Sequence, residues 1–194
     1  RQMCIRDRDA LTRIGGLELT VEEILGAKNP EHYRNKSQYP VDADGQVGFY
    51  KARSHQVIPV DCCRIQKPQA DAAAEALRRY IRECGVPCYD ERTRRGLVRH
   101  LYVRTNSAGQ SLVCVLVNGR KLPRQDTLVS FMRQALPNAV GVVLGVNTQP
   151  TGAVLGSEYR TLWGTDALED TLCGLSFRLS VPSFYCLLYT SDAA

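Results

Sequence analysis

The sequence predicts an α+β fold, a mostly antiparallel sheet with two main helices packed on it. Three observations carry that prediction. Apolar runs of strand length recur along the chain and are joined mostly by short, turn-rich links. Two stretches, 68–84 and 126–135, instead place apolar residues at helical spacing. No repeat of 20 to 50 residues, low-complexity stretch or second domain boundary breaks the pattern.

Residues 9–14 read as the end of a helix stopped by Gly15-Gly16. Thr20 and Glu23 have capping-box spacing, but the stretch to Gly26 holds only a turn or two. After the Asn29-Pro30 turn an alternating strand is expected over 33–41. Asp42-Ala43-Asp44-Gly45 then closes a hairpin into 46–50. A third strand, 57–60, contains Pro59 and so belongs at an edge or a bulge. Pro68 opens an amphipathic helix to Cys84 whose buried face is Ala73, Ala76, Leu77, Tyr80 and Ile81. Strands are expected at 97–104 and 111–117. A second helix over 126–135 buries Leu128, Val129, Phe131 and Met132 and stops at Pro137. Further strands are expected at 140–146, 159–163 and 172–181.

The chain has 194 residues, 44% of them hydrophobic and 23% charged, which excludes a disordered tail, a collagen-like rod and a coiled coil. No run of 18 apolar residues exists, so no membrane-spanning helix and no membrane partner are expected. Lys and Arg number 25 against 20 Asp and Glu, a net charge of +5 that permits a polyanionic partner without demonstrating one. There are 8 cysteines, yet a chain this long can bury a core without covalent staples, and its first residues lack the apolar core of a signal peptide. The expectation is therefore a reducing, cytoplasmic setting. Cys114, inside an apolar strand, and Cys173, beside Gly174, are expected to fill the core.

The two ends, residues 1–8 and 186–194, read unlike the rest and resemble translated sequencing-adapter DNA. On that reading Cys4 and Cys186 carry no biological message, and the informative stretch is 9–185, cut at both ends.

No complete catalytic constellation is visible. There is no Gly-rich phosphate loop after a strand, no Gly-x-Ser-x-Gly elbow, and the three histidines lack zinc spacing. Trp163-Gly164-Thr165-Asp166 reads as a turn. Three constellations have chemical meaning. On a strand, Arg34, Lys36 and Gln38 share one face at roughly 7 Å intervals, comparable to phosphate spacing along a single nucleic-acid strand. Arg53-Ser54-His55 in the next hairpin extends that patch; a solvated strand face has the same pattern. Second, Arg78, Arg79, Arg82, Arg92, Arg94, Arg95, Arg99 and Arg104 cluster in sequence, as a phosphate-binding patch or as an ordinary surface with pairs such as Arg79 and Glu83. Third, Cys62-Cys63 and Cys84-x-x-x-Cys88 are loose candidates for zinc or an iron–sulfur cluster, with structural roles as the alternative.

The ordered combination of Asn29-Pro30-x-x-Tyr33-Arg34-Asn35-Lys36-x-Gln38-Tyr39-Pro40-Val41, Gly48-Phe49-Tyr50-x-x-Arg53-Ser54-His55 and Val60-x-x-Cys63-x-Ile65-Gln66 resembles bacterial 23S rRNA uracil-C5 methyltransferases. Arg99-His100-Leu101, Val117-Asn118-Gly119, Asn147-Thr148, Tyr159-x-x-Leu162-Trp163-Gly164 and Phe177-x-Leu179-Ser180-x-Pro182-Ser183-Phe184 continue in that order. The resemblance covers 9–185 and implies the central domain of such an enzyme. An N-terminal TRAM domain and a C-terminal S-adenosylmethionine domain would flank it.

The resemblance implies transfer of a methyl group from S-adenosylmethionine to a uridine of 23S rRNA by a monomeric enzyme. A cysteine thiolate adds to uracil C6, C5 is methylated, and a base removes the C5 proton. That chemistry needs a low-pKa thiol and a flipped-out base. The nucleophile's Asp-Pro-Pro-Arg-x-Gly-Cys type motif is not matched by any cysteine here, so no catalytic residue is assigned and the fragment alone is expected to be inactive. Cys63 stands where the family places the fourth ligand of a 4Fe-4S cluster, the other three lying in an upstream Cys-x5-Cys-Gly-Gly-Cys-like run. Cys62, Cys84 and Cys88 match no ligand. Phe184 stands where the family has an aromatic that contacts RNA. A glutamine touching the methyl donor is expected two residues later, where this chain has Cys186. The RNA-binding set is thus Arg34, Lys36, Gln38, Arg53, His55 and Phe184. The alternative is a stand-alone RNA-binding module without catalysis.

Overall fold

A computed structural model describes residues 8–20, 29–150 and 153–185. The capping box at Thr20 and Glu23, the stretch to Gly26, and Cys4 and Cys186 involve positions outside the described residues. The chain divides into two compact units, residues 1–30 and 31–194. In the first, a short π-helix (Ala10–Ile14) ends as expected at Gly15, whose N–H donates to the Ala10 carbonyl at 2.8 Å.

The second unit is α+β. Its main sheet has five strands: β1 (Lys36–Pro40), β4 (Val98–Thr105), β5 (Ser111–Val117), β6 (Ala139–Val146) and β7 (Glu158–Gly164), in the order β1-β4-β5-β6-β7. Every pairing is antiparallel except β5 with β6. That parallel pair is imposed by the helix between its strands, since a crossover returns the chain to the same end of the sheet. Two hairpins complete the unit: β2 (Gly48–Tyr50) with β3 (Val57–Pro59), and β8 (Ala167–Leu172) with β9 (Leu175–Ser180).

Helix α1 (Pro68–Cys84) has the expected bounds. Proline occupies its first turn, and Gly85 closes it in the left-handed conformation (φ 61°), donating to the Ile81 carbonyl. The expected face, Ala73, Ala76, Leu77, Tyr80 and Ile81, is buried together with Ala70 and Ala74. In α2 (Gln125–Ala135) Leu128 and Met132 are buried, while Val129 and Phe131 are half-buried at the margin. Both helices cover the sheet face carrying Tyr39, Leu101, Val103, Val113, Val115, Val142 and Leu144. The opposite face carries Tyr102, Leu112, Cys114, Leu116 and Val143. It is closed by Leu168 of β8 and by Val181, which follows β9.

Three expectations are corrected. The Asp42–Gly45 turn forms, with Asp42 Oδ1 accepting from the N–H groups of Asp44 and Gln46, but it joins β1 to β2 through only one bridge, Val41 to Val47. β2 pairs with β3 instead. The run 172–181 is not one strand: β8 begins at Ala167, and the chain turns at Cys173 (φ 51°) and Gly174 (φ 79°). Cys173 is accordingly exposed at a hairpin tip and is not a core filler, whereas Cys114 is fully buried. No helix among the described residues is long and apolar enough to cross a membrane.

Candidate nucleic-acid interface

β1 is an edge strand, so only one of its sides is paired. Alternation then divides its residues. Ser37 and Tyr39 point into the helix-covered core, where the Ser37 hydroxyl donates to Gln66 Oε1 at 2.5 Å. Lys36 and Gln38 lie on the other face and are half-buried, and Arg34, just before the strand, is exposed. The backbone N–H of Arg34 donates to the Ile65 carbonyl at 3.0 Å, which fastens this approach to the 64–66 segment. Arg34, Lys36 and Arg53 have no ion-pair partner among the described residues.

Phe184 completes this edge. The residue is 82% exposed, and the Lys36 ammonium lies 6.0 Å from the centroid of its ring. An aromatic ring presented to solvent beside a cation is the combination that holds an unpaired base and its phosphate. Arg104, the register partner of Lys36, holds the residue before that ring. Arg104 is fully buried; its Nε donates to the Tyr102 hydroxyl at 2.8 Å and its Nη2 donates to the Ser183 carbonyl. Ser183 Oγ also accepts from the Ser180 N–H at 3.0 Å, and Val181 is buried. The turn before Phe184 is therefore held at three points.

The hairpin leading to that turn is anchored as well. Buried Asp170 accepts from the N–H and hydroxyl of Ser107, at 3.1 and 2.7 Å, and Asn106 Nδ2 donates to the Glu169 carbonyl at 2.7 Å. These bonds tie β8 to the β4–β5 turn. Burial, with the Asp170 carboxylate next, raises the Tyr185 hydroxyl pKa, while Arg104 works in the opposite direction. Burial likewise raises that of Tyr102 against the charge of Arg104.

Arg53 and His55 lie in the β2–β3 loop, where Arg53 has φ 57° and the His55 ring stands edge-on to Tyr50 at 5.7 Å. Both are exposed. No hydrogen bond, ion pair or ring contact among the described residues joins them to Lys36 or Phe184, so the structure brings together Lys36 and Phe184 but not the whole candidate set.

The arginine cluster of the sequence does not form one patch. Arg78 is spent on the Val47 and Val60 carbonyls and on Glu75 and Asp61. Arg79 pairs with Glu83 at 2.7 Å and lies over the Phe131 ring. Arg99 is buried against the Tyr89 ring and Glu91. Arg79 is exposed, as are Arg82, Arg92, Arg94 and Arg95, and the last four have no ion pair among the described residues. Arg104, which the sequence offered only as one member of that cluster, is instead buried at this edge beside Tyr102; the available signal was its in-phase spacing with Tyr102, which puts both on the face opposite the helices.

Cys63 is half-buried, with its N–H donating to Asp71 Oδ2 at 3.1 Å, and Asp71 Oδ1 accepts from the Tyr39 hydroxyl. No group of three His, Cys, Asp or Glu side chains among the described residues could hold a metal ion, so these residues alone do not fit an iron–sulfur cluster. Cys62 is exposed and Cys84 half-buried. Cys88 is buried, its thiol pushed up to about 12 chiefly by that burial.

No protein-family model matches the sequence. Among curated proteins, it is 36% identical over 182 residues to an uncharacterized RNA methyltransferase of Clostridium tetani, covering 92% of this chain and 40% of that protein. The same description belongs to relatives in Listeria innocua, 35% identical over 181 residues (91% and 40%), and Caldanaerobacter subterraneus, 31% identical over 182 residues (92% and 40%). The chain is thus similar to proteins described as RNA methyltransferases over nine-tenths of its own length. It spans 40% of the length of these curated relatives. Its fold is shared with the crystal structure of Pyrococcus abyssi tRNA (uracil-54, C5)-methyltransferase in complex with S-adenosyl-L-homocysteine. That match has a TM-score of 0.73 and 18% identity, covering 92% of this chain and 42% of the other.

Proposed function

We propose that this chain belongs to the RNA methyltransferase family of its relatives and is the central, RNA-holding domain of an enzyme that transfers a methyl group from S-adenosylmethionine to uracil C5 in 23S rRNA. The observation that carries the reading is the Lys36–Phe184 pair, an ammonium 6.0 Å from the centroid of an exposed ring at the free edge of the sheet. Phe184 stacks a base, and Lys36, Arg34 and Arg53 meet phosphates, with Gln38 and His55 beside them. The C6 nucleophile, the base that takes the C5 proton and most of the methyl-donor site belong to flanking domains, so the chain by itself is inactive. Cys63 supplies at most one ligand to a cluster completed from upstream. The parent enzyme acts in the cytoplasm as a monomer.

The test has two arms. Binding of a uridine-containing 23S rRNA stem-loop to this chain should weaken steeply with salt, and the triple variant R34A/K36A/R53A should flatten the log–log slope by about 2, roughly 0.7 for each phosphate left without its cation. An unchanged slope removes the RNA assignment. Reading the source DNA past both ends should find a cysteine-rich run upstream and a Pro-Pro-Arg…Cys motif downstream. A native start and stop bounding this stretch would instead leave an RNA-binding module without chemistry.

A further inference from the structure

Lys36 and Arg104 face each other across adjacent antiparallel strands, a like-charge pair that the sheet gains nothing by making. Neither has a carboxylate within ion-pair distance among the described residues. Arg104 is fully buried, yet its Nη1 has no hydrogen-bond partner among the described residues. Among the described residues its Nη2 is held only by the main-chain carbonyl of Ser183, the residue before Phe184. Two opposed cations and a guanidinium fork with one arm unused describe a place for an anion.

We infer that Arg104 is a phosphate anchor: its Nη1 and Nη2 together take two oxygens of the phosphodiester belonging to the nucleotide whose base stacks on Phe184. The inference rests on the RNA reading above and adds to it a residue and a coupling. A phosphate gripped by both nitrogens displaces the Ser183 carbonyl from Nη2. The guanidinium–carbonyl bond carries charge on one side only, whereas a guanidinium–phosphate fork carries it on both and makes two parallel bonds. Because Ser183 and Phe184 are consecutive, that exchange moves the stacking ring as the phosphate arrives. Phosphate binding and base stacking are therefore one event, and Lys36 screens the same charge from the surface.

The experiment titrates the 194-residue chain with uridine 5′-monophosphate and with uridine, following the Arg104 Nε–H and Phe184 amide signals by 1H–15N NMR. The monophosphate should bind about tenfold more tightly than the nucleoside and move both signals. In R104K the advantage should fall to about twofold, because an ammonium cannot form the fork; in K36A it should stay well above that. Equal affinities in the unmodified chain overturn the anchor, and so does an advantage that survives in R104K. Should R104K fail to fold, the unmodified chain still decides: monophosphate binding that leaves the Arg104 signal unmoved also overturns it. Hexauridylate separates the two readings. Salt-dependent binding of hexauridylate with Arg104 unresponsive refutes the anchor alone, whereas no binding refutes the RNA reading and the anchor together.

Discussion

Arg99 Nη1 lies 2.9 Å from the backbone carbonyl of Asn147, 48 positions further along the chain. The same nitrogen reaches Asn147 Oδ1 at 3.2 Å and the Gln149 carbonyl at 2.9 Å, and Nη2 reaches Glu91 at 3.2 Å. Arg99 sits at the register shift between Val98 and His100, where β4 departs from regular pairing with β5. One buried guanidinium thereby fastens the end of β6 and the loop before β4 to the sheet.

Replacing Arg99 by Met keeps the length of the side chain and strands several buried acceptors. The loss should be about 2–4 kcal/mol, the cost of leaving such groups without partners. Urea unfolding of R99M checks it. A midpoint within error of the parent would show that those carbonyls are satisfied in another way.

His100 provides a pH dependence. It is buried, and its pKa is lowered from 6.5 to about 4, first by burial and then by the charge of Arg99. The unfolded chain therefore binds a proton between those two values that the folded chain refuses. Stability is fully present above pH 6.5 and is lost as pH falls toward 4, by about 3 kcal/mol at most. Unfolding measured at pH 7 and pH 4.5 should show the loss, and H100N should remove most of it. An equal loss in H100N would assign the effect to other groups.

Two glycines with positive φ should differ in their tolerance of a methyl group. At Gly85 (φ 61°) an added Cβ meets nothing within 4 Å, so G85A should cost only the left-handed penalty, about 1 kcal/mol. At Gly96 (φ 105°) the Cβ would stand 1.9 Å from the Cys88 carbonyl oxygen, so G96A should cost more than about 3 kcal/mol. Thermal melts of the two variants make the comparison.

Thiol labelling follows burial. Cys62 and Cys173 are exposed and should be alkylated by iodoacetamide in the native state. Cys88 and Cys114 are buried, with thiol pKa values raised chiefly by that burial, and should react only after unfolding. Peptide-level mass spectrometry distinguishes the sites. Native labelling of Cys114 would mean that β5 opens.

Much of the fold was legible because periodicity reports local burial. α1 has its expected bounds because Pro68 and Gly85 act at its ends through backbone geometry alone. The parallel pairing of β5 with β6 was less visible, since it depends on where α2 returns the chain. The β8–β9 tip was missed because Cys173-Gly174 lies within a run of strand-like composition. In the candidate site, alternation along β1 separated Lys36 and Gln38 from Ser37, and resemblance supplied Phe184. Buried arginines were illegible. Arg104 and Arg99 have the composition of surface residues, and what removes them from water is contact with Tyr102, Tyr89 and distant carbonyls.

The position of β1 at the edge has a consequence for the order of assembly. Its only neighbour in the main sheet is β4, and the β2–β3 hairpin and all of α1 intervene. As the chain is synthesised from its N-terminus, Lys36 and Gln38 emerge early but have no sheet to join until β4 follows, and Phe184 comes later still. The candidate RNA edge is thus among the last parts of this sheet to acquire its shape. A chain ended before Phe184 would have every strand of the main sheet and lack the exposed ring beside Lys36.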